Sequence, residues 1–368
     1  MEQAPKAEFP LLAPPLLDWF ARNRRLLPFR QEPSPYHIWV SEIMLQQTRM
    51  SAAVPYYERF IAELPDPAAL ADVSEERLRK LWQGLGYYRR AANLQKAARI
   101  LCTQYGGALP RDYAALRALP GVGDYTAGAI ASIGFGIRAA AVDGNVLRVF
   151  ARLYNDDTDV SLPAARRTCT ARVLAAQPAD APGDFNQALM ELGALVCVPG
   201  ENPLCGACPL AAQCAGRAAG RAGALPVKPA KKARPTVPVT VLLVESPAGV
   251  LLQKRPARGL LAGLWQPPAV EGRTLDAAQA AALLREAGLA PGPLNPLPGA
   301  KHVFTHRVWT LGGWQCRVPA APPPAGCVWA DAAALAGTYA VPSAFASYFS
   351  RYDLTQRGAD AEQERNLP

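Results

Sequence analysis

Apolar residues recur at three- and four-residue spacing from about Pro14 to Cys197, broken at prolines and glycines, which predicts a succession of helices. Val146, Val149, Phe150 and Leu153 form one such stripe. Beyond Pro238 the period changes. Val239, Val241 and Leu243 alternate with Thr240 and Leu242, Gly249 to Gln253 follows as a second strand, and Ala277 to Ala287 supports one helix. Residues 217–238, rich in Ala, Gly, Pro and basic side chains, predict a connector. The pattern therefore divides the chain into a mainly α half at 1–216, this connector, a smaller α/β domain at 239–350 and a polar tail at 351–368.

At 368 residues the chain is too long for one ordinary core, in keeping with two domains. Half of it is hydrophobic and 19% charged, the balance of a globular protein. No apolar run approaches the roughly 18 residues of a membrane span. The first twenty residues hold Pro5, Pro10, Pro14, Pro15 and Asp18 rather than the features of a secretory leader, so a cytoplasmic protein without a membrane partner is expected. A net charge of +9 and a pI near 9.2 favour a polyanionic partner such as nucleic acid. Between Glu201 and Glu245 there is no acidic residue, while Arg217, Arg221, Lys228, Lys231, Lys232 and Arg234 fall together. That stretch reads equally as a solvated linker or as a strap tracking phosphates.

Leu116 and Leu119 close one short predicted helix, Pro120 to Gly123 make a tight turn, and Asp124 stands where it caps a helix running through Ile133. Such a helix-hairpin-helix brings backbone N–H groups close to a phosphate at Gly121 and Gly123, beside the positive end of the second helix. Two carboxyls are predicted in opposite environments. Glu42 lies in the apolar helical run from Ile38 to Leu45, where desolvation raises a carboxyl pKa and makes a proton donor. Asp143, at the mouth of the next helix, is expected to stay ionised beside free N–H groups and to face a cation. Cleaving a glycosidic bond through an oxocarbenium-like state needs both an acid and an anion. Singly, each has a plain alternative: Asp143 as a helix cap, Glu42 as the partner of a buried Arg.

Cys197, Cys205, Cys208 and Cys214 follow C-x7-C-x2-C-x5-C spacing, whereas Cys102, Cys169, Cys316 and Cys327 are scattered. Four clustered thiolates point to metal rather than to disulfides, and spacing alone suits zinc as well as iron.

Taken together, WVSEIMLQQT (39–48), GLGYYRRAANL (84–94), LPGVGDYTAGAI (119–130), VDGNVLRV (142–149) and FNQALMELGALVC (185–197) resemble the endonuclease III superfamily of base-excision glycosylases, and more closely its adenine-specific MutY branch. The resemblance runs from about residue 15 to the end. It implies that Glu42 protonates N7 of a mispaired adenine and then activates water, while Asp143 stabilises the oxocarbenium ion. It implies further that Tyr125 and Asn145 fix these groups, that Gln187 and Arg30 contact the flipped base, and that Gln47, Thr48 and Tyr87 wedge into the duplex. Bifunctional members carry a Schiff-base Lys where this chain has Tyr125, which implies a monofunctional enzyme; a monomer acting on double-stranded DNA is expected. The four cysteines would hold a structural [4Fe-4S] cluster. The family has six residues in the first gap, and this chain has seven.

Residues from about 237 to 350 resemble the family's Nudix-related C-terminal domain through LLQKRPARGLLAGLWQPP (251–268). Between Gly272 and Leu289 only Asp276 and Glu286 are acidic, too few for a Mg²⁺-binding Nudix helix, so nucleotide hydrolysis is not expected. The resemblance implies recognition of 8-oxoguanine opposite adenine by Phe304, Thr305 and His306. The competing readings are a strand-cleaving glycosylase, a damage binder without chemistry and a nucleotide hydrolase. Tyr125, the retained Glu42 and Asp143, and the missing glutamates argue against them in turn.

Overall fold

The computed structural model describes residues 12–31, 33–229 and 233–349. The polar tail and Lys231 and Lys232 of the basic stretch lie outside the described residues. The chain divides into two compact units, one drawn from Met1–Asp72 and Ala92–Lys231, the other from Val73–Ala91 and Lys232–Pro368. In chain order the helices up to the first strand are α1 (Ala13–Asn23), α2 (Pro28–Gln31), α3 (Pro35–Leu45), α4 (Met50–Glu63), α5 (Pro67–Asp72), α6 (Glu75–Leu81) and α7 (Arg89–Gln104). They continue with α8 (Tyr113–Ala118), α9 (Asp124–Ala129), α10 (Gly144–Leu153), α11 (Pro163–Ala176), α12 (Pro182–Leu195) and α13 (Ala215–Ala218).

Local chemistry sets the helix starts. Proline opens α3, α11 and α12, where its missing N–H costs nothing, and the Ser34 hydroxyl accepts from the His37 N–H to cap α3. Leu16 and Phe20 of α1, Val146 and Phe150 of α10, and Phe185 and Leu189 of α12 meet in one core. The α3 helix is apolar all round, with Ile38, Trp39, Val40, Ile43 and Met44 buried, which makes it a central helix of the first unit.

Two expectations need correction. Gly123, not Asp124, is the N-cap of α9, because the Asp124 carboxylate pairs with Arg117 instead of folding back on the helix. After Ala129 the chain passes into one π-helical turn, Ile130–Gly134, held by the Asn186 amide donating to Ser132 Oγ at 2.8 Å. The connector is also shorter than its composition suggests. Within it Ala222 and Leu225 are buried, and the Val227 carbonyl accepts from the Val160 N–H at 3.1 Å, so this stretch stays anchored on the first unit.

In the second unit the strands are β1 (Thr236–Ser246), β2 (Gly249–Lys254), β3 (Trp265–Gln266), β4 (Ala269–Glu271), β5 (Asn295–Val303), β6 (Val308–Arg317) and β7 (Cys327–Ala330). The main path runs β3-β2-β1-β6-β5, with β4 on β1 and β7 on β2; β1 and β6 are parallel and the remaining pairs antiparallel. Val239 and Val241 enter one core with Trp309 and Phe345, whereas Leu242 and Val244 enter another with Leu284 of the helix α14 (Ala277–Glu286). Both faces of β1 are covered, so its predicted alternation is apolar on both sides.

Segment Val73–Ala91 packs with this sheet unit, although its sequence motif belongs to the helical half. Lys80 Nζ donates to the carbonyls of Leu335 at 2.8 Å and Tyr339 at 3.2 Å, and Glu76 pairs with Lys254 at 2.9 Å. Among the described residues no helix is long and apolar enough to cross a membrane.

Candidate active site

A cavity of about 1250 Å³ opens in the first unit among α2, α3, α9, α10 and α12. Its walls bring together Arg30, Glu42, Gln47, Thr48, Gly121, Gly123, Tyr125, Asp143, Asn145 and Gln187, residues scattered over some 160 positions of sequence. Because α3 is central, the Glu42 carboxyl is only 8% exposed. Burial above all, then the charge of Asp143, outweighs the hydrogen bond from the Tyr125 hydroxyl and the charge of Arg30, so that its pKa is pushed up to about 7. Burial, with the charges of Glu42 and Asp143, also holds the Tyr125 phenol well above its ordinary range, so it remains a neutral donor.

Asp143 is the N-cap of α10. Its Oδ1 accepts from the Val146 N–H at 2.8 Å and its Oδ2 from the Asn145 amide at 2.8 Å. Burial raises Asp143 as well, outweighing these hydrogen bonds and the charge of Arg148. Helix N-terminal donors do stabilise the anion, but the packing of the surrounding helices removes more hydration than they return.

The hairpin follows the predicted turn. Val122 N–H donates to the Leu119 carbonyl at 3.1 Å, and Gly121 takes a φ of 80°. A Cβ there would meet Asn93 Cβ at 2.8 Å, so glycine is required on both counts. Gln47 and Tyr87 are two of four non-glycine residues with positive φ among those described.

Tyr87 belongs to the second unit. Arg90 braces its loop, donating to the carbonyls of Leu85 at 2.9 Å and Gly86 at 3.1 Å and standing 5.6 Å from the Tyr87 ring centre. The Tyr87 hydroxyl meets that of Thr305 at 2.6 Å. Thr305 and His306 are exposed, whereas Phe304 turns inward and packs its ring 4.8 Å from that of the buried Trp309.

The four clustered cysteines line one small void of about 30 Å³ with Arg152 and Arg217. All eight cysteines are free thiols. Arg152, 1% exposed, reaches Cys197 Sγ at 3.3 Å and the carbonyls of Val198 and Gly200 at 2.8 Å each. The longer first gap is accommodated here: Gly200 turns the loop at a φ of 95°, and the Leu204 N–H returns to the Val196 carbonyl at 2.9 Å. Burial pushes Cys208 up to about 11, and the neighbouring thiolates add to the rise, so four ionised sulfurs need a cationic group between them. Among the described residues no three ligand side chains are arranged around a single metal ion.

Sequence reasoning missed Arg25 and Glu191, which also line the cavity. Glu191 had the same signal as Glu42, an acid inside an apolar helical run.

Residues 40–173 match the model of the HhH-GPD superfamily base excision DNA repair proteins, and residues 239–351 match the NUDIX domain, which defines the class of the fold. A solved thermostable thymine-DNA glycosylase superposes with a TM-score of 0.51 at 29% identity, covering 56% of this chain and 94% of that one. Adenine DNA glycosylase of Mus musculus is 35% identical over 95% of this chain and 80% of its own length, and that of Rattus norvegicus 37% over 79% and 67%. The chain belongs to the adenine DNA glycosylase family.

Proposed function

We propose that this protein hydrolyses the N-glycosidic bond of adenine mispaired with 8-oxoguanine or guanine in duplex DNA, without cutting the strand. The observation that carries the reading is Glu42, a carboxyl held near half-protonation at about 7 in the same cavity as the braced carboxyl of Asp143. Glu42 donates its proton to N7 of the extruded base, which turns adenine into a leaving group. Asp143, oriented by Asn145 and the Val146 N–H, stabilises the positive charge that develops on the sugar. Glu42, now ionised and accepting from Tyr125, takes a proton from the attacking water. Gln187 and Arg30 line the wall that receives the base, and the hairpin at Gly121 and Gly123 offers N–H groups to a phosphate.

At position 125 a buried phenol replaces the amine that strand cleavage through a Schiff base requires. Cys197, Cys205, Cys208 and Cys214 suit a [4Fe-4S] cluster. Held by these four cysteines, such a cluster would order the loop after α12, which Arg152 braces through its hydrogen bonds, and the bond cleavage would not need it.

In the second unit Thr305 and His306, with Tyr87 beside them, form the reader of the base opposite adenine. The α14 helix holds no pair of glutamates, which speaks against nucleotide hydrolysis. The enzyme works as a cytoplasmic monomer on chromosomal DNA. The test is a labelled duplex with one 8-oxoguanine:adenine pair. Free adenine, and strand breaks appearing only after alkali, support the reading; breaks without alkali, or no adenine release, overturn it.

A further inference from the structure

Glu191 is 1% exposed, yet its carboxylate sits at the cavity wall with two arginines on it. Arg25 Nε lies 2.7 Å from Oε1 and Nη2 2.9 Å from Oε2, and the Arg25 backbone N–H donates to Oε1 at 3.1 Å. Arg30 Nη2 reaches Oε2 at 3.0 Å, while its Nη1 donates to the Arg25 carbonyl at 3.2 Å. Burial pushes this carboxyl up, but the arginine hydrogen bonds prevail and bring it down to about 2, so it is an anion at every working pH. One negative charge is therefore shared by two cations, leaving a net charge of about +1 next to the proposed acid.

The groups facing Glu42 are few. They are Tyr125 from α9, Asp143 at the start of α10, and Arg30 from α2. Arg148 lies behind Asp143, donating to Asn145 Oδ1 at 2.8 Å, and Arg25 and Glu191 stand behind Arg30. Among the described residues Arg30 is thus the one cation acting directly on Glu42, and Glu191 is what holds and offsets it.

We infer that Glu191 is a positioning residue which fixes Arg25 and Arg30 at the cavity wall and limits the positive charge that Glu42 meets, so that the acid keeps its proton near neutral pH. The inference rests on Glu42 being the acid. Removing the negative charge leaves two cations uncompensated, favours the ionised form of Glu42 and shifts its titration downward. Removing Arg25 does the opposite.

The experiment is single-turnover excision with enzyme in excess over an 8-oxoguanine:adenine duplex, from pH 5 to 9 at fixed ionic strength. In the unaltered protein the rate falls as pH rises through the Glu42 titration. Glu191→Gln should move that midpoint down by about one unit, so that its excision rate relative to the unaltered protein is roughly tenfold lower at pH 8 than at pH 5. Arg25→Met should move it up, and the double variant should return it towards its original place. A uniform loss at all pH values in Glu191→Gln, or shifts of the same sign in both single variants, overturns the inference. Should Glu191→Gln not fold, the sign of the Arg25→Met shift decides. Glu42→Gln separates the two layers. If it still excises adenine, the acid assignment itself fails; if it is inactive while Glu191→Gln keeps the original midpoint, only the role of Glu191 fails.

Discussion

The hydroxyls of Tyr87 and Thr305 lie 2.6 Å apart although 218 residues separate them in the chain. A residue expected to wedge into the duplex and one expected to read the opposite base thus share a hydrogen bond within one unit. A second bond braces the same loop, from Arg234 Nε to the Thr305 carbonyl at 3.0 Å. If the pair acts together, its contributions are not additive. Tyr87→Phe and Thr305→Val should each lower the preference for 8-oxoguanine:adenine over guanine:adenine by up to about tenfold, and the double variant should cost no more than the worse single one. Additive losses in kcat/KM would show that the two hydroxyls act separately.

Replacing Asp143 with Asn keeps the shape and the cap but removes the anion. Excision should fall on the order of a hundred- to a thousandfold, with duplex affinity held within about threefold at fixed salt. Near-normal excision would remove Asp143 from the mechanism.

For Glu42, the acid form is needed first, so activity is present below its titration near 7 and is lost as pH rises through it. Glu42→Gln should abolish this falling limb together with the rate. A limb that survives the substitution would belong to another group.

Arg152 supports the cysteine loop through carbonyls of Val198, Gly200 and Leu225. Arg152→Met leaves the buried Leu225 carbonyl without its donor and removes one from the half-exposed loop carbonyls, at a cost of about 1–3 kcal/mol. Protein prepared without oxygen should contain about four irons per chain, and the variant should lose iron and melt earlier. An iron content matching the original protein would mean that the loop holds without this guanidinium. Stoichiometric zinc in the native protein would overturn the cluster assignment.

The burial of Glu42, the tight turn at Gly121 and the grouping of the four cysteines were legible because each is written in a short window. An apolar run buries what it carries, and a turn needs its glycine. For Asp143 only the cap was legible. Its cap is local, but the desolvation that raises it comes from packing between helices remote in sequence. The same holds for Glu191, whose partners Arg25 and Arg30 lie more than 160 residues upstream. The inward turn of Phe304 onto Trp309 and the docking of Val73–Ala91 on the sheet unit are likewise tertiary facts with no periodic signature.

That docking has a consequence for binding. Lys80 is half-buried, and burial lowers its pKa, with the charge of Arg77 acting in the same direction. Its amine nevertheless serves Gln83 at 2.7 Å and the carbonyls of Leu335 and Tyr339, tying α6 to the C-terminal part of the unit. The loop bearing Tyr87 begins directly after α6, so the lysine holds the base of that loop. Lys80→Met fills a similar volume but leaves both carbonyls short of a donor, about 1–3 kcal/mol of stability. Lys80 belongs to the second unit, whereas the cavity around Glu42 and Asp143 is built within the first, so the chemical step itself should be spared. The variant should therefore melt earlier and bind an 8-oxoguanine:adenine duplex more weakly, with an unchanged single-turnover rate once enzyme is saturating. A lower rate at saturation with unaltered affinity would place Lys80 in the chemistry instead, and an unchanged melting temperature would show that the three hydrogen bonds do not hold the segment in place.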